Sequence, residues 1–145
     1  MKNSKGFSLL ELLIVVAIIL IIATIAIPSL LRSRQAANES AAVANLRTIN
    51  TAEVTYLSSS GGNYGDLNAL VTAGLLDDTF IGTATRPKAG YIYSLTATGS
   101  DYTAFADPAS PNTGRFAYYS VPDAVVRYST VGGAISNNQP GRSVQ

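Results

Sequence analysis

The sequence contains no cysteine, no histidine and no tryptophan, and charged residues make up only 13% of its 145 residues. Without cysteine, disulfide bonds and thiolate chemistry are absent, and without histidine the commonest zinc ligand and a frequent general base are missing as well. Serine residues alone do not indicate a nucleophile when no such base is present. We therefore predict that the protein is not an enzyme and that no catalytic residues exist.

The formal net charge is only +1, and no basic cluster follows Arg47. Because nucleic-acid binding requires a stripe of positive charge, no nucleic-acid partner is predicted. The length suffices for one small domain and a long helix, but not for two independent cores. Hydrophobic residues reach 47%, and much of this excess lies in residues 1–31. That distribution indicates a membrane segment more than an unusually apolar fold.

The N-terminal segment is almost wholly apolar from Phe7 to Leu31, with Glu11 as its one carboxylate. A helix over residues 9–31 would be about 35 Å long, enough to cross the hydrocarbon core of a bilayer. A lone acid near the start of such a helix is costly to bury. We therefore expect a partner that compensates the charge of Glu11.

The position of the small residues excludes an ordinary secretory signal peptide. Such a peptide is cut after its apolar region, which is then discarded. Here the small-residue break, Ser4-Lys5-Gly6, precedes the apolar run. A cut after Gly6 would remove a short basic leader, with Lys2 and Lys5, and keep the hydrophobic helix.

The N-terminus resembles that of the type IV prepilin family, which includes pilins and the pseudopilins of type II secretion, over Lys5-Gly6-Phe7-Ser8-Leu9-Leu10-Glu11-Leu12-Leu13 and the aliphatic run to Pro28. The resemblance implies that prepilin peptidase cleaves between Gly6 and Phe7 and that the amine of Phe7 is methylated. It also implies a helical homopolymer with a helix–helix core. In that filament Glu11 would pair with the freed ammonium of a neighbouring subunit, since an uncompensated charge in an apolar setting is costly.

The function implied by this resemblance is that of a structural subunit of a type IV pilus. Such a subunit is stored as a single-pass protein of the bacterial inner membrane and then joins an extracellular pilus through the assembly machinery. Two alternatives remain open. One is a pseudopilin of a type II secretion system, which would form a periplasmic pseudopilus, and the other is a membrane-anchored binding domain that does not polymerise.

The helical pattern continues past Pro28 without a turn signal. Proline removes a backbone hydrogen bond, so a bend or local loosening is expected there, and Pro28 is a candidate assembly residue. The family usually has a glycine eight positions before this proline, where this chain has Leu20. Amphipathic spacing then extends to about Ser58, and the following Ser-Gly-Gly run indicates the helix end.

The rest of the chain predicts a small exported domain. Asp66 is the predicted N-cap of a short helix that ends near Gly74. Strands are predicted over 91–98, 102–106, 115–120 and 124–130, with a tight hairpin turn at 99–101 and a loose polar tail over 137–145. The fold class is therefore α+β, with the second half of a long helix packed on an antiparallel sheet. The predicted divisions are a leader (1–6), an assembly helix (7–31), its amphipathic continuation (32–58) and a globular domain (59–145).

Two further groups of residues in the exported domain are candidate sites. Asp101, Asp107 and Asp123 resemble the calcium loop of major pseudopilins only weakly, because calcium prefers a dense run of oxygen ligands. We therefore predict turn or loop residues there, with no cofactor and no metal site. The tyrosines of the sheet region are predicted to be core residues or cross-strand pairs, namely Tyr91, Tyr93, Tyr102, Tyr118, Tyr119 and Tyr128.

Overall fold

A computed structural model describes residues 6–82 and 85–129, together with the backbone of residues 142–143. The chain divides between Arg34 and Gln35 into two compact units. The basic leader residues Lys2 and Lys5 lie outside the described residues.

The longest element is helix α1, Leu9–Ser59, which includes Pro28. The chain stays helical through the proline, so the expected loosening there does not break the helix. The helix ends because Gly61 and Gly62 adopt positive φ angles of 74° and 91°, a conformation that glycine reaches without steric cost. The bounds agree with the predicted range to within a residue at each end.

Helix α2, Leu67–Thr72, has the ends that its sequence predicts. The Asp66 side chain caps it by accepting a hydrogen bond of 2.7 Å from the backbone N–H of Ala69. At the other end Gly74, with φ 71°, donates to the carbonyl of Val71, while the next N–H bonds to Leu70. These two bonds form a Schellman motif. A 3-10 helix, Asp78–Phe80, follows.

The sheet is antiparallel and has the strand order β1-β2-β3-β4-β5. Its strands are Tyr91–Thr98 (β1), Asp101–Pro108 (β2), Ala117–Ser120 (β3), Arg127–Ser129 (β4) and Arg142–Ser143 (β5). Strands β1 and β2 pair along their full length from Tyr91↔Pro108 to Thr98↔Asp101. The hairpin therefore turns through Gly99 and Ser100, and the predicted tight turn is confirmed.

The core of the second unit lies between the C-terminal half of α1 and one face of the sheet. Ala42, Leu46 and Ile49 of α1 are fully buried, as their helical spacing predicts. They pack with residues of α2 and of the alternate positions of β1, β2 and β3, and four of the predicted tyrosines belong to this cluster: Tyr91, Tyr93, Tyr102 and Tyr118. The α+β, pilin-like fold class is thus confirmed.

The structure corrects the sequence prediction in three places. Asp107 is not a loop residue, because β2 continues to Pro108, and Asp101 opens that strand. Strand β4 begins only at Arg127, since Val121 to Ala124 form a turn closed by a 2.8 Å backbone hydrogen bond. Within the tail, the described pair Arg142–Ser143 is not loose but pairs with β4.

Candidate assembly site

The start of α1 is a capping box built from Ser8 and Glu11. The backbone N–H of Ser8 donates to Oε2 of Glu11 at 3.0 Å, while Oγ of Ser8 accepts from the N–H of Leu10 at 3.3 Å. The first helical bond runs from the N–H of Leu12 to the carbonyl of Ser8. An acid in the first turn also complements the helix dipole. Glu11 therefore has a local structural role in addition to any role between subunits.

The first half of α1 exposes an extensive apolar surface. Phe7 is 83% exposed, and most of the large side chains that follow it are more than half exposed. Among the described residues, α1 is the one helix that is long and apolar enough to cross a membrane. A contiguous apolar surface of this extent requires lipid or protein to cover it. The exposed side chains include Leu9, Leu10, Leu12, Leu13, Ile14, Ile18, Ile19, Leu20, Ile21, Ile22, Ile25, Ile27 and Leu30.

Pro28 lies within this apolar surface. Because proline has no N–H, the carbonyl of Thr24 loses its usual helical donor. The hydroxyl of Thr24 itself donates to the carbonyl of Leu20 at 2.8 Å, one turn earlier. The turn around Pro28 therefore lacks one backbone hydrogen bond of a regular helix, although the backbone there remains helical.

An ion pair joins the second half of α1 to the loop before β3. Glu39, only 7% exposed, accepts hydrogen bonds from the backbone N–H, Nε and Nη2 of Arg115 at 2.9, 3.1 and 3.0 Å. Burial alone would raise the pKa of Glu39, but the hydrogen bonds and charge of Arg115 outweigh burial and lower the pKa below 4.5. The carboxylate is thus ionised when the helix is attached to the sheet.

A buried amide joins α1 to the sheet at three further points. Asn50 accepts a 2.9 Å hydrogen bond from the hydroxyl of Tyr102 on β2, and donates at 2.8 Å to Oγ of Ser120 on β3. It also donates at 3.3 Å to the carbonyl of Ala124 in the β3–β4 turn. The bonds to Tyr102 and Ser120 are shielded from water, because all three side chains are almost fully buried, whereas the bond to Ala124 is only partly buried. The amide therefore fixes the register of the helix against two strands and a turn.

The three aspartates that are candidate calcium ligands do not come together. Asp101 is exposed at the hairpin, and Asp107 is half-buried on β2, where burial raises its pKa. Asp123 pairs with Arg127 at 2.5 Å in the β3–β4 turn. Within residues 6–82 and 85–129, no group of three or more acidic side chains is placed to hold a metal ion.

Known proteins have sequences similar to part of the chain. Residues 1–27 match the family described as the prokaryotic N-terminal methylation motif. The type IV wide pilus major component PilA4 of Thermus thermophilus is 40% identical over 75 residues, which are 52% of this chain and 57% of that protein. The type IV major pilin protein PilA of Myxococcus xanthus is 44% identical over 56 residues, or 39% of this chain and 26% of that protein. No solved structure matches the chain.

The chain therefore belongs to the class of proteins that carry an N-terminal methylation motif on an apolar helix. The chain carries this motif and is similar over part of its length to two type IV pilins, in agreement with the resemblance seen in the sequence. The matched segment spans 57% and 26% of the two relatives.

Sequence reasoning missed the local role of Glu11 and the polar side chains on the buried face of α1. Ser8 and Glu11 have the S-x-x-E spacing of a capping box, so the signal was present in the sequence. Glu39, Asn50 and Glu53 share the helical spacing of the buried apolar residues. Their partners lie far along the chain, however, and no local pattern identifies them.

Proposed function

We propose that this chain is a structural subunit of a type IV pilus, cleaved after Gly6 and polymerised through the N-terminal half of α1. The single observation that supports this most is the exposed apolar first half of α1 with Glu11 at its start. A helix that only anchors a domain needs no carboxylate at membrane depth. The similarity to two known pilins supports the same function.

The apolar surface would have two successive environments. Before assembly, lipid of the inner membrane covers it, and in the filament the equivalent surfaces of other subunits cover it. Transfer from lipid to a bundle of like surfaces changes the hydrophobic free energy little, so packing and polar contacts decide the association. A contact between unlike surfaces of successive subunits does not close and therefore produces a fibre.

Glu11 would supply the polar contact. Cleavage by prepilin peptidase frees the amine of Phe7, which remains a cation after methylation. In the uncleaved chain Oε2 of Glu11 accepts from Ser8, so its second oxygen, Oε1, is left to accept the ammonium of the adjacent subunit. In a low-dielectric core such a pair is favourable when both charges are present, and either charge alone is costly.

The experiment separates the charge of Glu11 from its capping role. Glu11→Gln keeps an N3 side chain that can bond to Ser8 but removes the charge, whereas Ser8→Ala weakens the cap by about 1 kcal/mol and keeps the charge. Both variants are expressed in cells that lack the wild-type protein, and sheared fibres and inner membranes are probed for the subunit. We expect Glu11→Gln to be inserted and processed but absent from fibres, while Ser8→Ala assembles.

Normal fibres from Glu11→Gln would contradict the proposed charge pairing. Equal loss in both variants would assign Glu11 to capping instead. If the wild-type subunit is processed yet never appears in sheared surface fibres, a periplasmic pseudopilus replaces the pilus. If it is neither processed nor polymerised, the chain is a membrane-anchored domain.

A further inference from the structure

A second carboxyl group, Glu53, is enclosed within the globular unit. Glu53 lies near the C-terminal end of α1 and is 0% exposed. Its Oε2 accepts a 3.1 Å hydrogen bond from the backbone N–H of Gly65. Its Oε1 is also buried and has no hydrogen-bond partner. Buried carboxylate oxygens are normally satisfied, so the orphan oxygen requires an explanation.

Gly65 belongs to the connector, residues 60–66, which leads from α1 to α2. The connector lies close to both helices, since a Cβ on Gly65 would come within 2.9 Å of the Tyr56 ring on α1 and 3.1 Å of the Cβ of Ala69 on α2. The preceding residue is bonded to the β1–β2 hairpin, since the N–H of Tyr64 donates to the carbonyl of Gly99 at 2.9 Å. The contact between Glu53 and Gly65 therefore holds the connector closed against the helix.

Among residues 6–82 and 85–129, no positively charged side chain acts on Glu53. Asp66, which follows Gly65 and caps α2, acts on it with a negative charge. Tyr102 of β2 faces the same region, with the ring of Tyr64 packed on it at 4.7 Å between centroids. Tyr56 is the titratable neighbour on α1 itself. The Asp123–Arg127 pair lies beyond Tyr102 and is internally neutralised.

We propose that Glu53 and Gly65 form a proton-dependent closure, in which the protonated carboxyl keeps the connector on α1 and ionisation releases it. A neutral carboxyl still accepts the Gly65 hydrogen bond through one oxygen, and it avoids a bare charge on the orphan oxygen. An ionised carboxylate in the same place gains by reaching water, which it does only when the connector moves. The closure concerns the globular unit alone and is independent of the proposed polymerisation.

The direction of the pH dependence follows from the environment. Burial raises the pKa of Glu53 above its ordinary 4.5, the Gly65 hydrogen bond lowers it, and Asp66 raises it further, with a net increase. The closed state therefore binds the proton more tightly than the open state. Closure is strongest below pH 4.5 and weakens as the pH rises towards the raised pKa of the closed state. Within that window the opening constant rises by up to about tenfold per pH unit.

Hydrogen exchange measures this opening directly. The full-length protein in detergent micelles is exchanged between pH 4 and pH 8, and the rates of the connector amides are divided by their intrinsic rates. We expect the protection of the Gly65 N–H to fall with rising pH in the wild type, by up to about tenfold per unit, and then to level off. Glu53→Gln, which cannot ionise, should show a flat profile.

Glu39→Gln is the matched control, because it removes another buried carboxyl from the same face of α1. Its connector should open with the wild-type pH dependence. Wild-type protection that does not vary with pH, or that varies equally in Glu53→Gln, would overturn the proposal. Should Glu53→Gln not fold, carbon-13 titration of the wild-type Glu53 carboxyl decides instead. A pKa above 4.5 supports the closure, and a value at or below 4.5 overturns it.

Discussion

Replacement of Asn50 by alanine tests how the sheet is held on α1. The change removes the acceptor of the Tyr102 hydroxyl and the donor to Ser120 and Ala124, at 2.9, 2.8 and 3.3 Å. Each buried hydrogen bond contributes about 0.5–1.5 kcal/mol, and an orphaned buried hydroxyl costs about 1–3 kcal/mol. Alanine returns about 0.6 kcal/mol through its helix propensity. We expect the free energy of unfolding to fall by about 3 kcal/mol.

The partner change, Tyr102→Phe, separates the hydrogen bond from simple truncation. Alone it should cost about 1 kcal/mol, since it leaves Oδ1 of Asn50 without its donor. In the double variant the Tyr102 hydroxyl is absent, so it is not left without an acceptor. The combined loss of stability should therefore be smaller than the sum of the two single losses by about 1–2 kcal/mol. Thr51→Ala, an exposed position on the same helix, serves as the control and should raise stability by no more than about 0.6 kcal/mol, through the same gain in helix propensity.

The assay is thermal unfolding of the full-length variants in micelles, followed by near-ultraviolet circular dichroism of the tyrosines. For a unit of this size a loss of 1 kcal/mol lowers Tm by about 4 °C, so Asn50→Ala should unfold about 12 °C earlier. Strictly additive losses in the double variant would refute the assigned bond. A loss under about 1 kcal/mol for Asn50→Ala would refute the role of the buried amide.

Three further changes test other contacts by the same unfolding assay. Because the pKa of Glu39 is lowered, its pair with Arg115 stabilises the fold above pH 4.5, and this stabilisation is lost as the pH falls through the lowered pKa. Glu39→Gln should therefore reduce the loss of stability at acid pH. An unchanged loss would contradict the role of the pair. Gly114→Ala would place a methyl group on the buried Tyr91 hydroxyl and should cost about 1–3 kcal/mol; an unaltered Tm would show that the loop yields freely. Ala124 has a φ of 58°, so Ala124→Gly should add about 0.5–1 kcal/mol of stability, and a lower Tm would argue against strain at this turn.

The elements with local signals could be predicted from the sequence. The helical spacing of Ala42, Leu46 and Ile49 identifies the buried face of α1, and Asp66 and Gly74 mark the ends of α2. Each of these signals acts over one or two turns of chain, so no tertiary information is required.

The polar contacts of the same helix could not be predicted. Glu39, Asn50 and Glu53 lie on the buried face, yet each would read as a solvated helix residue in isolation. What permits their burial are partners that are distant in sequence, such as Arg115 and Ser120. Only the pairing of the strands brings these partners to the helix.

The predicted start of strand β4 was wrong for a related reason. The run from residue 124 to 130 has strand composition throughout, but Val121 to Ala124 close a turn first. Val126 is buried beside the core before β4 begins at Arg127. Composition does not distinguish a turn that leads a buried valine into the core from a strand, because both place apolar side chains on one side.

The N-terminal residue of the polypeptide in surface fibres tests the central claim most directly. Fibres are sheared from cells that express the unmodified chain, and the intact subunit and its N-terminal peptide are measured by mass spectrometry. The proposed assembly requires a free ammonium at the start of the apolar helix, so the subunit should begin at Phe7 with a methylated amine. A fibre subunit that still begins at Met1 would contradict it.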